Sequence, residues 1–334
     1  MKPPVRPEQP YISCVVPAYN EADGIAHFIE ALAPALEKLS PRYEIIVVND
    51  GSRDNTAAVV AGLCDGDIPL RLINFSRNFG KEAALTAGLD HVAGDVAVLI
   101  DADFQHPIET IGLFLERWRE GYDMAYGVRE SREGESAFKR NGAKAFYGLL
   151  NWLSTVDIPP DAGDFRLLDR KVVEALKAMP ERARFMKGLF AWVGFKSIAV
   201  PFVVQERLAG ETSFGVRGLI RLAHTGLVAF SDVPLRVWSI IGFIVSAIAL
   251  GYACWIVFIT LARGIDVPGW ATLVVAMMFL GGIQLLSIGI LGEYLAGVFN
   301  EVKQRPTYLV AERLGFGHSP TEAHQADPHS GKQG

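Results

Sequence analysis

Short apolar runs alternate with helical spacings along the first hundred residues. Tyr11–Val16, Glu44–Asn49, Arg71–Phe75 and Val96–Ile100 are rich in apolar, β-branched positions and stop at polar turn residues, as buried parallel strands do. Between the first two, Ile25, Phe28, Ile29, Leu32, Leu36 and Leu39 recur at helical spacing within Ala22–Leu39. Further helices are predicted at Asp54–Cys64 and Gly80–His91. Such alternation predicts an open, doubly wound, Rossmann-like α/β sheet. Ligands of such sheets bind beyond the carboxyl ends of the strands.

From Ser136 the pattern changes. Phe138, Phe146, Leu149, Leu150, Trp152 and Leu153 form an apolar face beside Lys139, Arg140 and Lys144. Val216–Val228 repeats it, with Leu219, Ile220, Leu227 and Val228 against Arg217 and Arg221. Basic amphipathic helices at about 136–155 and 215–231 suit a lipid headgroup layer. Two long apolar runs follow. Val237–Leu261 has no formal charge across 25 residues, and Trp270–Gly292 has none across 23. At roughly 1.5 Å per residue each is long enough for a bilayer core of about 30 Å. The loop between them, Ala262–Gly269, is short. Basic residues flank the pair on the other side: Arg217, Arg221 and Arg236 before it, Lys303, Arg305 and Arg313 after it. By the positive-inside rule both termini are expected in the cytoplasm.

The remaining composition adds boundaries. Half of the 334 residues are hydrophobic, an excess that the two runs explain, and a net charge of −5 with no basic stripe argues against nucleic acid as a partner. Cys14, Cys64 and Cys254 make no metal or redox spacing and are expected to be reduced. Residues 1–10 contain four prolines and no apolar core of a signal peptide, so they are expected to be a loose arm. The expected domain plan is a catalytic domain over 11–232, two spans within 233–299 and a cytoplasmic tail over 300–334. That tail is polar from 317 and expected to be disordered there.

The candidate chemistry falls at strand ends. Asp101 and Asp103 follow Val96–Ile100, where paired carboxylates can hold Mg²⁺ or Mn²⁺ against a diphosphate. A bare Asp-x-Asp is common in solvated loops; its register with the other motifs sets this one apart. Asp50 ends the second strand and can accept the ring N–H of uracil or guanine, or else cap the helix that follows. Tyr19, Asn20 and Glu21 close the first strand and can wall the same pocket. Arg77 and Lys81 offer cations beside Gly80 near the phosphates.

In order along the chain stand VPAYNE (Val16–Glu21), NDGSRDNT (Asn49–Thr56), SRNFGKEAA (Ser76–Ala84), DADFQHP (Asp101–Pro107), GDFRLLDR (Gly163–Arg170) and QERLAGETSF (Gln205–Phe214). This series resembles family 2 glycosyltransferases of the GT-A fold, and within them the polyprenyl-phosphate glycosyltransferases, across about Tyr11–Gly315. The resemblance implies that Pro17, Tyr19, Glu21 and Asp50 hold base and ribose, and that Asp101, Asp103 and Gln105 hold the metal and diphosphate. It further implies that Arg129, Lys139, Arg140, Arg207 and Ser213 receive the acceptor phosphate. Glu211-Thr212-Ser213 departs from the family, where many relatives carry Ser-Lys. Asp164 matches the family's general-base position, with Asp161 a weaker candidate. Yet a phosphate monoester with a second pKa of about 6 is already largely dianionic at neutral pH, so it needs positioning and charge control more than proton removal.

The expected activity is inverting transfer of one sugar, glucose from UDP-glucose first, to undecaprenyl phosphate at the cytoplasmic face of a bacterial inner membrane. GDP-mannose or another UDP-sugar is the alternative donor, and a homo-oligomer is compatible with the two spans. A processive polysaccharide synthase fits less well. The nearest match to its QxxRW motif, Phe114–Trp118, lacks the Gln, and two spans cannot enclose a polymer channel. A non-catalytic scaffold is disfavoured because Asp50, Asp101, Asp103 and Asp164 are all present.

Overall fold

The computed structural model describes residues 6–130, 162–182, 184–203, 233–263 and 269–316. Both basic amphipathic helices, most of the loop after the first apolar run, and the polar tail from 317 lie outside the described residues.

Four strands open the chain: β1 (Ile12–Ala18), β2 (Tyr43–Asn49), β3 (Leu70–Phe75) and β4 (Val96–Leu99). Helices α1 (Ile25–Leu39), α2 (Thr56–Leu63) and α3 (Lys81–His91) connect them. The four strands pair in parallel in the order β3-β2-β1-β4. After β4 come α4 (Thr110–Arg119), β5 (Met124–Arg129), β6 (Ala162–Asp169), α5 (Arg170–Lys177), α6 (Met186–Trp192) and β7 (Ser197–Phe202). Here the sheet becomes mixed. β6 lies antiparallel between β4 and β5, and β7 pairs parallel with β5. The expected parallel winding is therefore broken by β6, and again at the far edge by Val310–Leu314; these two strands run against the other six.

Strand alternation sends successive side chains to opposite faces. Ile12, Cys14 and Val16 of β1 join a core with Phe28, Ile29 and Leu32 of α1 and Phe114 of α4. Val15 points the other way, to Ala84 and Leu85 of α3, Val172 of α5 and Leu189 of α6. Burial pushes the Cys14 thiol pKa up, so this cysteine behaves as a small core hydrophobe. The N-terminal arm is docked from Arg6 onward. Its guanidinium lies 2.7 Å from Asp123 and sits over the Trp118 ring, 4.9 Å from the centroid.

Both long apolar runs are helical, as α7 (Val233–Arg263) and α8 (Trp270–Val302), each longer than the run that predicted it. Among the described residues one stretch, Ala276–Val302 of α8, is long and apolar enough to cross a membrane. Its apolar surface continues past the predicted end at 292, through Leu295, Val298 and Phe299. The chain after α8 is not all loose tail. β8 (Val310–Leu314) pairs antiparallel with β3 and becomes the eighth strand of the sheet. Tyr308 stacks on Phe75 with centroids 5.1 Å apart and donates its hydroxyl to Asp90 at 2.8 Å.

Gly88 lets α3 lie on β1. A Cβ there would stand 2.1 Å from Cγ1 of Val15, a rigid side chain inside the core. Helix propensity alone would favour Gly88→Ala by about 1 kcal/mol. Overpacking costs about 1–3 kcal/mol, and with so close an approach it should win. Gly88→Ala is expected to lower the urea midpoint; a raised midpoint would mean that α3 and β1 separate freely.

Candidate active site

All four parallel strands end at one cavity of about 480 Å³. Pro17, Tyr19 and Glu21 reach it from the end of β1 and Asp50 from β2; Asn78, Gly80 and Lys81 follow β3, and Asp101, Asp103, Gln105 and His106 follow β4. Arg129, the last residue of β5, lines the cavity too. This convergence follows from parallel pairing, which puts every carboxyl end on one edge. The loops are also tied to one another. Asp50 accepts the backbone N–H groups of Phe79 and Gly80 at 2.6 and 2.9 Å, so its carboxylate braces the entry to α3. It is therefore not the cap of α2 that the sequence also allowed. Burial raises its pKa, against those two N–H groups and Arg77. Gly51 completes the brace. Its φ is +61°, and a Cβ would lie 2.3 Å from the carbonyl carbon of Arg77.

In the cavity wall one ammonium joins two strands. Lys81 Nζ is 2.7 Å from Asp101 Oδ1 and 2.9 Å from Asp164 Oδ2. Asp164 lies on β6, so the contact spans the parallel and antiparallel parts of the sheet. Burial pushes the Asp164 carboxyl up, but Lys81 and then Lys187 outweigh it and hold it well below the usual carboxylate range. Burial likewise works against the Lys81 charge, and Asp164 and Asp101 reverse the sign. Asp164 is consequently a firmly ionised group and a weak proton acceptor at neutral pH.

Asp101, Asp103 and Gln105 supply hard oxygen donors of the kind Mg²⁺ and Mn²⁺ take. Among the described residues no three His, Cys, Asp or Glu side chains gather into a metal cage. The donor set fits an ion that completes its shell with the Gln105 amide and with oxygens of a bound diphosphate. Arg77, by contrast, does not line the cavity; it is exposed, with its guanidinium 4.0 Å from the Phe79 ring centroid. Lys139, Arg140, Arg207 and Ser213 lie outside the described residues, as does Asp161.

One residue of the cavity and two that pack near it escaped the reading of the sequence. His106 is buried against Phe165 and Phe202, at centroid distances of 4.9 and 5.4 Å, and burial lowers its pKa, which favours the neutral ring. Arg166, two positions after Asp164 on β6, is buried with its guanidinium 3.8 Å from the Phe190 ring, and burial brings its pKa down to about 10. Glu82 accepts the Met186 N–H at 2.9 Å. All three sit inside the motifs DADFQHP, GDFRLLDR and SRNFGKEAA; their motif neighbourhood was the available signal, and only the packing discloses what they touch.

The profile of Glycosyl transferase family 2 matches residues 13–177. An uncharacterized glycosyltransferase of Synechocystis, sll0501, is 46% identical over 93% of this chain and 98% of its own length. The prophage bactoprenol glucosyl transferase homolog of Escherichia coli is 44% identical over 90% of this chain and 98% of its own. Among solved structures, the mannosyltransferase PcManGT from Pyrobaculum calidifontis, in complex with GDP-Man and Mn²⁺, covers 92% of both chains at 18% identity and a TM-score of 0.46. The chain belongs to glycosyl transferase family 2, and it is a glycosyltransferase built on a mixed α/β sheet.

Glu82, in the turn that carries Lys81, gives the protein a measurable pH signature. Burial first, and then the Asp164 charge, raise its pKa from 4.5 to about 7. Between those values the folded protein keeps a proton that the unfolded chain has released, so this group's contribution to stability falls as pH rises through the window. Glu82→Gln should remove that slope. The unfolding temperature of the variant is expected to gain on the wild type between pH 4.5 and 7; parallel curves would mean that Glu82 titrates as in water.

Proposed function

We propose that this glycosyltransferase moves one glucosyl unit from UDP-glucose to undecaprenyl phosphate, with inversion, at the cytoplasmic face of a bacterial inner membrane. The observation that carries this reading is the sharing of one cavity by Asp50, Asp101, Asp103 and Gln105 with Arg129. The first four suit a nucleotide diphosphate, and the last suits a second phosphate brought to the same place. The relatives named for bactoprenol glucosyl transfer support the lipid carrier and the sugar. The two long helices and their basic flanks support two spans with both termini in the cytoplasm.

In the proposed reaction an oxygen of the lipid phosphate attacks the anomeric carbon from the face opposite the diphosphate. The new C–O bond forms as the bond to the β-phosphate breaks, and the nucleoside diphosphate leaves. Pro17, Tyr19, Glu21 and Asp50 wall the nucleoside end. A divalent ion, Mg²⁺ or Mn²⁺, held by Asp101, Asp103 and Gln105 would neutralise charge on the leaving diphosphate. Lys81 adds a fixed cation on the same side. Arg129 receives the acceptor phosphate, with Lys139, Arg140, Arg207 and Ser213 assigned to the same task by family resemblance. Asp164, held ionised by Lys81, sets the position and field of that ammonium and need take no proton, since the acceptor is already mostly dianionic.

A panel of UDP- and GDP-sugars with undecaprenyl phosphate, read by nucleotide release, tests donor and acceptor together. UDP-glucose is expected to turn over fastest; faster turnover of GDP-mannose would replace the donor assignment. Asp103→Ala and EDTA should each abolish nearly all turnover, and normal activity in EDTA would remove the metal. A charge-assisted hydrogen bond is worth about 1.5–3 kcal/mol, or roughly ten- to a hundredfold in affinity. Arg129→Ala should raise the KM for lipid phosphate by about that factor and leave donor hydrolysis by water unchanged. Equal losses in both would place Arg129 at the diphosphate.

A further inference from the structure

A second cavity, of about 360 Å³, opens where α8 ends. Arg182, Arg184, Lys303 and Arg305 line it together with Glu82 and Glu301, so cations outnumber carboxylates there. Two of the arginines are held in place by backbone bonds. The Arg182 N–H donates to the Glu301 carboxylate at 3.1 Å, its guanidinium donates to the Arg305 carbonyl at 2.5 Å, and Arg184 donates to the Met179 carbonyl at 2.9 Å. Lys303 and Arg305 are exposed. An apolar groove of about 470 Å³ lies beside it on α8, lined by Leu295, Phe299 and Val302, exposed at 64%, 58% and 71%. Lys303 of the basic cavity touches it, with Nζ 4.1 Å from the Phe299 ring centroid. An apolar groove beside a basic pocket matches an amphiphile with a negatively charged head.

We propose that this pocket and groove bind an anionic phospholipid of the bilayer, with its phosphate among Arg182, Arg184, Lys303 and Arg305 and its chains along Leu295, Phe299 and Val302. Guanidinium groups match phosphate oxygens in geometry as well as charge, and basic pockets beside membrane helices take phosphate head groups. The inference rests on the reading of the chain as a membrane-bound transferase, yet the ligand is not the acceptor. The basic pocket is lined by Phe79, Glu82 and Ala83, and the donor cavity by Asn78, Gly80, Lys81 and Ala84 of the same turn. The two linings share no residue, so a phosphate in the basic pocket is outside the cavity that contains Asp101 and Arg129. A lipid there backs the turn that carries Lys81 and ties the donor site to the membrane surface.

The test is native mass spectrometry of the full-length protein in a neutral detergent, titrated with phosphatidylglycerol, phosphatidylcholine, undecaprenyl phosphate or inorganic phosphate. Each basic residue near a membrane surface is worth about fivefold in affinity. Phosphatidylglycerol is expected to bind one to one and phosphatidylcholine not at all in the same range. Lys303→Ala and Arg305→Ala should each weaken phosphatidylglycerol binding about fivefold, and neither exposed side chain is part of the core. Bound undecaprenyl phosphate should survive in the Lys303→Ala/Arg305→Ala double variant. Equal phosphatidylglycerol binding by wild type and double variant would overturn the proposal, as would displacement of the lipid by millimolar inorganic phosphate. Loss of undecaprenyl phosphate alone in the double variant would overturn it too, by making the pocket the acceptor's. No sugar transfer enters the readout, so failure of the transferase reading would show separately, in the donor panel.

Discussion

The Lys81 ammonium is the point on which the site depends. It faces Asp101 from β4 and Asp164 from β6, two carboxylates that would repel each other without it. Asp164 has one oxygen buried with no hydrogen-bond partner, so removal of the lysine would leave a buried charge uncompensated, which is costly in any folded protein. The same pairing keeps Asp164 ionised. The cation thus has two consequences: it joins β6 to the end of β4, and it holds the Asp164 carboxyl well below the usual carboxylate range.

The loop that carries Lys81 is itself fixed from the neighbouring strand. Asp50 receives two backbone N–H groups at the start of α3, and Gly51 allows the 77–78 backbone to approach within a distance no Cβ would tolerate. Gly88 lets the far part of α3 settle on Val15. A helix seated at both ends presents its first turn to two cavities at once, one facing the donor residues and one facing the end of α8.

That second side explains why the chain returns to the sheet after its long apolar helix. β8 pairs with β3, Asn74 donates to Glu312 at 3.0 Å, and Tyr308 packs on Phe75, all within a dozen residues of the end of α8. A helix linked so closely to a strand beside the donor loop cannot wander far from the site.

Much of this was legible in the residues. Apolar runs ending in polar turns marked β1–β4, because a strand buried on both faces has no other composition available. The placement of VPAYNE, NDGS, FGKE and DADFQHP after those runs located the cavity, since parallel strands expose all their carboxyl ends on one edge. The antiparallel insertion of β6, the return of β8 and the docking of Arg6 were not legible, because each depends on partners tens to hundreds of residues away and leaves no local period. Neither were the roles of Asp50 and Lys81. The sequence placed both at the candidate site, but residue type alone does not disclose that Asp50 also accepts two backbone amides or that Lys81 pairs with Asp101 and Asp164. Local composition determines what a segment can be; only the tertiary structure decides which neighbours desolvate and charge it, and therefore what its side chains do.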